Sequence, residues 1–315
     1  DFYGFLGGFV DYYTHVYFGG LDWQNNDTSL REEGFVTELL TAKAIDKITH
    51  FKGDKPFFMY LSYSAPHTPL QYVPNAINDY SGFESKDRQV FADMTSDVDQ
   101  DIGEVLAALD KRGIAENTIV VFMSDNGGNL EAGANNGSLQ GGKSSVYEGG
   151  VRVPVLIRWP AQLQSKTMTQ PMFTQDWAPT LLEAANIDYQ PNDFDGVSQF
   201  VNLKEAQEKT FKREVVVGTA KQKAVYQWPW KLIVDAKGNK HLFNLSQDEF
   251  EHSDVAMEHP ELVAQLMSEL TLLPHLPSKA AKGPPPESLF LDAHGLFDYN
   301  VRKAETRKPW LETAL

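Results

Sequence analysis

The sequence predicts an α/β fold: a mainly parallel sheet flanked by helices, followed by a small antiparallel α+β subdomain. Three observations predict it. Helical and strand patterns alternate through the first two thirds of the chain, as in layered α/β domains. The short run Thr118 to Met123 (TIVVFM) is apolar and β-branched without alternation, which suits a central strand covered on both faces. Beyond about residue 205 the pattern changes to short strands joined by tight turns. The expected division is therefore 1–205 for the larger α/β domain and 206–315 for the smaller sheet, its helix and a tail.

Taken in order, Asp1 to Asn26 is aromatic and Gly-rich with no clean period and reads as packed irregular loop. From Phe35, the positions Val36, Leu39, Leu40, Ala44 and Ile48 recur at helical spacing to about His50. After the turn-forming Gly53-Asp54, Pro56 to Ser64 (PFFMYLSYS) reads as a buried strand. Val98, Ile102, Val105, Leu106 and Leu109 share one face of a helix over Asp97 to Arg112, with Gly113 placed for a left-handed cap. The strand Thr118 to Met123 leads into a Gly/Asn-rich loop over Asn126 to Gly150, then a strand over Val153 to Trp159. Asp176 to Ala185 reads as a helix with Pro179 in its first turn, where a missing N–H is tolerated. Strands follow at Glu214 to Thr219, Ala224 to Gln227, Trp230 to Val234 and His241 to Leu245, the last two joined by a turn at Lys237-Gly238-Asn239. A helix over Pro260 to Leu273 and a tail interrupted by Pro284, Pro285 and Pro286 complete the chain.

Composition removes several function classes. The 315 residues hold 28 Lys and Arg against 43 Asp and Glu, a net charge of −15, without a basic block, which argues against nucleic acid as a partner. No apolar run approaches the roughly 18 to 20 residues of a membrane span. There is no cysteine, which excludes disulfides, thiolate metal sites and cysteine nucleophiles.

Chemistry is sought just after the strands, where α/β sheets gather ligands. Ala65-Pro66-His67-Thr68-Pro69 fixes a histidine between two prolines, and Ser124-Asp125-Asn126-Gly127-Gly128 offers a carboxylate and an amide oxygen on a glycine turn. Hard oxygen donors suit Ca²⁺ or Mg²⁺; the same residues are those turns prefer, and taken alone the pair reads first as a turn. Gly141-Gly142-Lys143 places an ammonium on a glycine-rich loop, either a surface lysine or a point charge for an anion. A hard cation, a proton-moving histidine and a lysine together describe a site for hydrolysing a charged ester.

Four segments in this order, SAPHTPLQ (64–71), SDNGG (124–128), GGKSSVYEGGVRVP (141–154) and DWAPTLLEAA (176–185), resemble the formylglycine-dependent type I sulfatases. The opening FYGFLGGFVDYYTH looks most like the arylsulfatase B branch, and Trp228 to Leu266 is similar to that family's terminal subdomain. The resemblance implies an alkaline phosphatase-like fold and a calcium-dependent sulfuric ester hydrolase acting on a sulfated carbohydrate or aryl sulfate. It implies Asp125 and Asn126 as calcium ligands, Lys143 on the sulfate oxygens, and His67 as sulfate ligand and proton donor to the departing oxygen. Glu148 and Arg152 lie in the matching stretch and are expected to be structural; His15 lies near the pocket and is expected to be structural as well. Gln140 stands where many members carry Arg. The family's Cys/Ser-x-Pro-x-Arg nucleophile motif, its paired acidic calcium ligands and its Lys/His pair are absent, and in the family all precede the matched segments. The expectation is a carboxyl-terminal portion of a sulfatase, inactive alone, whose formylglycine comes from a preceding segment, and family habit implies a periplasmic or secreted protein. Two alternatives stay open: a non-catalytic carbohydrate- or anion-binding remnant, and a phosphodiesterase or phosphatase of the same superfamily. Sequons at Asn26, Asn136 and Asn244 are short enough to arise by chance.

Overall fold

The computed structural model describes residues 1–74, 76–206, 213–219 and 221–270. These residues form two compact units, one of Asp1–Ala115 with Asn129–Asn135, the other of Glu116–Gly128 with the described residues from Asn136 to Leu270. This division departs from the expected boundary near residue 205. Residues 136–205 join the carboxyl-terminal sheet because Glu148, Ser145 and Val146 bond to residues of that sheet. The Pro284 to Pro286 stretch and the expected last turn of the final helix, 271–273, lie outside the described residues.

The first unit is built on two helices. Helix α1, Val36–Thr49, buries Val36, Leu40, Ala44 and Ile48, the i, i+4 stripe expected from the sequence. Helix α2, Lys86–Arg112, starts earlier than the apolar spacing indicated because Ser85 caps it, its hydroxyl accepting the Arg88 N–H at 3.3 Å. Gly113 ends it at φ 73°, a left-handed position that glycine occupies without strain. Against α1 and α2 packs the aromatic opening of the chain: Val10, Tyr12, Trp23 and Phe35 are buried with Val90 and Met94. That opening is irregular apart from two-residue ladders, as the absence of a period implied.

The segment 56–64 corrects the expectation of a buried strand. Its residues form no ladder, and Phe58 and Tyr60 are 82% and 83% exposed. The composition is that of a strand, but a strand exists only through its neighbours, and none lies beside this segment among the described residues.

The second unit centres on a four-stranded antiparallel sheet: β3 (Glu214–Gly218), β4 (Gln222–Gln227), β5 (Trp230–Asp235) and β6 (Lys240–Asn244), paired in sequence order. Register follows the turns, with Trp230 opposite Gln227 and Val234 opposite Lys240. Alternation sorts the faces. Ala224, Tyr226, Ile233 and Phe243 pack with Val146 on one side, while Val225, Leu232 and Leu242 face Val263, Leu266 and Leu270 of helix α3, Pro260–Leu270, on the other. Ahead of this sheet, β1 (Val120–Met123) and β2 (Val155–Arg158) pair antiparallel with each other, Phe122 opposite Leu156. Every ladder among the described residues is antiparallel. The mainly parallel pairing expected of the first two thirds therefore does not occur here, since β1 has one partner and segment 56–64 has none. For the same reason β1 is half-covered rather than enclosed, with Phe122 39% exposed. No described helix is long and apolar enough to cross a membrane.

The two kinds of apolar residue should respond oppositely to polar or truncating change. Leu232→Ala, at a fully buried position, should cost about 2–5 kcal/mol in a urea melt of the chain. Phe58→Ser should stay within about 0.5 kcal/mol of the parent and lower light scattering at high protein concentration.

Candidate active site

In the first unit, His67 follows segment 56–64 and sits between two prolyl peptide bonds that are both cis, Ala65-Pro66 and Thr68-Pro69. Its backbone is held at both ends: its N–H donates to the Ser64 carbonyl at 2.8 Å, and its own carbonyl accepts the Tyr12 hydroxyl at 3.0 Å. The ring stacks on Phe9, centroids 5.2 Å apart. Nδ1 lies 2.7 Å from the Thr68 carbonyl oxygen. A carbonyl can only accept, so Nδ1 carries the proton and, in the neutral ring, Nε2 is the basic nitrogen. Protonation then puts the mobile proton on Nε2, the atom able to pass it on.

Tyr12 is itself tied down. Its N–H donates to Gln71 Oε1 at 2.8 Å, and Gln71 Nε2 donates to Asp11 Oδ2 at 2.8 Å. Asp11 Oδ1 accepts the N–H groups of Tyr13 and Thr14. Burial pushes the Asp11 carboxyl up to about 6 although these donors pull it down. Sequence reading missed Asp11 and Gln71; the signal was an uncompensated acid inside an aromatic run. His15 is a core residue, as expected. It is 1% exposed, stacks on Trp23 and donates from Nε2 to the Gly34 carbonyl, and burial lowers it to about 4.

In the second unit, the turn 124–128 leaves β1 and is laced to loop 136–152. Gly127 N–H donates to the Gly150 carbonyl at 2.9 Å, and Lys143 N–H donates to the Gly128 carbonyl at 3.0 Å. Asn136 bridges the same two segments: Oδ1 accepts Gly128 N–H at 2.8 Å, while Nδ2 donates to the carbonyls of Gly128 and Gly141. Asn136 entered the sequence reading only as a sequon, and its side chain is spent inside this cluster. The glycines are required by proximity: a Cβ on Gly127 would stand 1.9 Å from the Gly149 carbonyl oxygen, and one on Gly149 2.4 Å from that of Gly141. The structure thus brings Asp125, Asn126 and Lys143 onto one cross-linked pair of loops. His67 belongs to the other unit.

The donor chemistry fits a hard cation in part. The Asp125 carboxylate is exposed and engages no partner among the described residues. Asn126 Nδ2 donates to the Gly127 carbonyl at 2.9 Å, which leaves its Oδ1 for a cation. Two oxygens are fewer than the six to eight Ca²⁺ takes, and among the described residues no three His, Cys, Asp or Glu side chains gather as a metal site.

A separate concavity of about 670 Å³ lies between α1 and α2. Glu38, Asp46, Asp93, Asp97, Asp101 and Glu104 line it with His50 and without Lys or Arg, so its carboxylates repel an anionic ester. Asp101 accepts the Thr41 hydroxyl at 2.7 Å. Asp97 is raised to about 7, by burial first and then by the charges of Asp101 and Glu38.

Comparison with known proteins places these segments in one family. The sulfatase family model matches residues 1–187, and the model for the carboxyl-terminal part of N-sulphoglucosamine sulphohydrolase matches 142–274. Arylsulfatase J of Mus musculus is 26% identical over 86% of this chain and 55% of its own length. An N-acetylgalactosamine-6-O-sulfatase of Bacteroides thetaiotaomicron is 28% identical over 79% of this chain and 53% of its own. The crystal structure of Ps i-CgsB superposes with a TM-score of 0.78 at 31% identity, covering 85% of this chain and 65% of that one, and a second structure of it is a complex with k-i-k-neocarrahexaose. The chain spans about half the length of these curated relatives.

Two outcomes are expected from this geometry. Gly127→Ala should cost about 1–3 kcal/mol in chain stability, as overpacking does, and abolish any heat of calcium binding in calorimetry. At Asp97 the folded-state value lies above the unfolded one, so its contribution to stability is present at low pH and is lost as pH rises through about 7. Asp97→Asn should therefore raise the melting temperature over the parent more at pH about 8 than at pH about 5.

With the family model covering more than half of the chain, the four ordered motifs in place and the α/β fold shared with solved members, this chain belongs to the sulfatase family.

Proposed function

We propose that the whole protein is a sulfuric ester hydrolase acting on a sulfated carbohydrate or an aryl sulfate, and that this chain supplies its proton donor, its sulfate-binding lysine and part of its cation site. The observation that carries the reading is the lacing of the Asp125-Asn126 turn to the Lys143 loop through Gly127 and Gly128. That lacing holds the main chain of two oxygen-donor residues and of a lysine on one cross-linked element, and positive charge beside a sulfuryl group stabilises the negative charge that develops on its oxygens. The complex of Ps i-CgsB with k-i-k-neocarrahexaose supports a glycan over a small aryl ester. A polysaccharide does not cross a membrane intact, so the reading puts the whole protein in the periplasm or outside the cell.

Asp125 and Asn126 would hold calcium, which supplies positive charge beside the sulfuryl oxygens; a formylglycine outside this sequence would supply the nucleophilic oxygen. Lys143 binds a sulfuryl oxygen as a point charge, its Nζ having no ion-pair partner among the described residues. His67, with Nδ1–H fixed on the Thr68 carbonyl, donates from Nε2 to the departing oxygen, so that a sugar alcohol leaves neutral instead of as an alkoxide.

His67→Ala in the whole protein should lower kcat about 10²–10⁴-fold on a sugar sulfate and far less on a nitrophenyl sulfate, whose leaving group needs no proton. Lys143→Ala should lower kcat/KM on the order of 10²–10³-fold on both. An unchanged rate in the Asp125→Ala, Asn126→Ala double variant would remove the cation assignment. Faster cleavage of phosphodiesters than of sulfate esters would move the protein to the phosphoesterases, and glycan binding without turnover would make it a binding protein.

A further inference from the structure

One group of buried ionisable side chains lies outside the ligands named above. Lys231, on β5, has a side chain with no exposed surface; its Nζ stands 2.8 Å from Glu148 Oε1 and 2.7 Å from Glu251 Oε1. Tyr226 on β4 donates its hydroxyl to the same Glu148 oxygen at 2.8 Å, and the Lys231 ammonium lies 4.9 Å from the Tyr226 ring centroid. Glu251, also without exposed side-chain surface, accepts the Glu148 backbone N–H on Oε2 at 2.6 Å. Glu148 is thus gripped by its side chain and its main chain at once, from residues far along the sequence.

What Glu148 opens is the short helix Glu148–Val151, which carries the Gly150 carbonyl that accepts Gly127 N–H. From Gly127 the chain of bonds runs to Gly128, whose carbonyl accepts Lys143 N–H. Gln222 adds a second attachment, its Oε1 accepting from Ser145 Oγ and Val146 N. The path from the sheet to the site is therefore short: Lys231 and Glu251 to Glu148, Glu148 to Gly150, Gly150 to the Asp125-Asn126 turn, and that turn to Lys143. Two carboxylates share one ammonium here, so removal of the lysine leaves both buried and unpaired.

We propose that Lys231, Glu251 and Tyr226 are positioning residues that set the place of Lys143 and of the Asp125-Asn126 turn through Glu148, which rests on the reading of those residues as sulfate and cation ligands. They touch neither ester nor cation and act through the loop backbone. A brace of this kind differs from general stabilisation in a measurable way: cutting it frees the loops while the sheet stays closed.

Amide hydrogen exchange on the chain reads this directly. In Glu251→Gln and in Tyr226→Phe, exchange at Gly127, Lys143 and Gly149 should speed up about tenfold or more, with Val225 and Leu242 in the sheet within about twofold of the parent. Lys231→Arg, which keeps a cation between the two carboxylates, should leave the loop amides near parent rates, whereas Lys231→Met, if it folds, should free them furthest. In the whole protein, Glu251→Gln and Tyr226→Phe should lower kcat on a nitrophenyl sulfate about tenfold or more at a KM within about threefold. Loop amides that stay protected in both variants, or sheet amides that speed up in step with them, would overturn the proposal. The functional reading fails separately, through Lys143→Ala and the Asp125→Ala, Asn126→Ala variant turning over at the parent rate whatever the exchange data give.

Discussion

A fully buried ammonium is tolerated only where its lost hydration is replaced, and around Lys231 two carboxylates and an aromatic face replace it. Much of the second unit is arranged by that requirement. Tyr226 and Lys231 must share one face of adjacent strands, so the register of Lys231 opposite Tyr226 is fixed by charge as well as by the turn. Glu251 must reach back from beyond the last strand, at φ 60°. Glu148 must descend from a loop that would otherwise be an open glycine-rich excursion. Burial raises the Glu251 carboxyl even with Lys231 beside it.

Rigidity at the candidate site is built without large side chains. Between Asn126 and Gly150 the loops approach until backbone meets backbone, and glycine is present where a single methylene would collide with a carbonyl oxygen. Asp125, Asn126 and Lys143 are thus carried by main chain that is itself held in place. His67 is fixed by other means in the other unit: a stacked ring, a capped carbonyl, and a relay through Tyr12 and Gln71 to a buried acid. Backbone packing holds the loops of the second unit, and side-chain hydrogen bonds hold His67 in the first.

The helices and the carboxyl-terminal strands were legible because each carries a local signature. Gly113 marks the end of α2, and the turn around Gly238 marks a hairpin. The ligand candidates were legible because hard-donor and glycine chemistry is written in consecutive residues at 124–128 and 141–143. Segment 56–64 was misread because aromatic density indicates a strand without saying whether a neighbour is present. The early start of α2 was missed although Val90 and Met94 carry the Val98 stripe back at i, i+4 spacing, and only the first turn after Ser85 is polar. Lys231, Glu251, Asn136 and Gln71 were invisible for one shared reason: each is an ordinary polar residue in sequence and acquires its role only from a partner that the fold brings to it.

The separations in that buried cluster also order events during synthesis. Glu148 lies 78 residues before Tyr226, 83 before Lys231 and 103 before Glu251. At about 5–20 residues per second the ribosome delivers the last of these on the order of five to twenty seconds after the first. Until then the glycine-rich loops lack their anchor, and only the local hydrogen bonds among 127, 128, 143 and 150 are available to hold them. Any ligand, chaperone or protease that engages the nascent loops meets a segment whose mature shape is still to be imposed by residues not yet made.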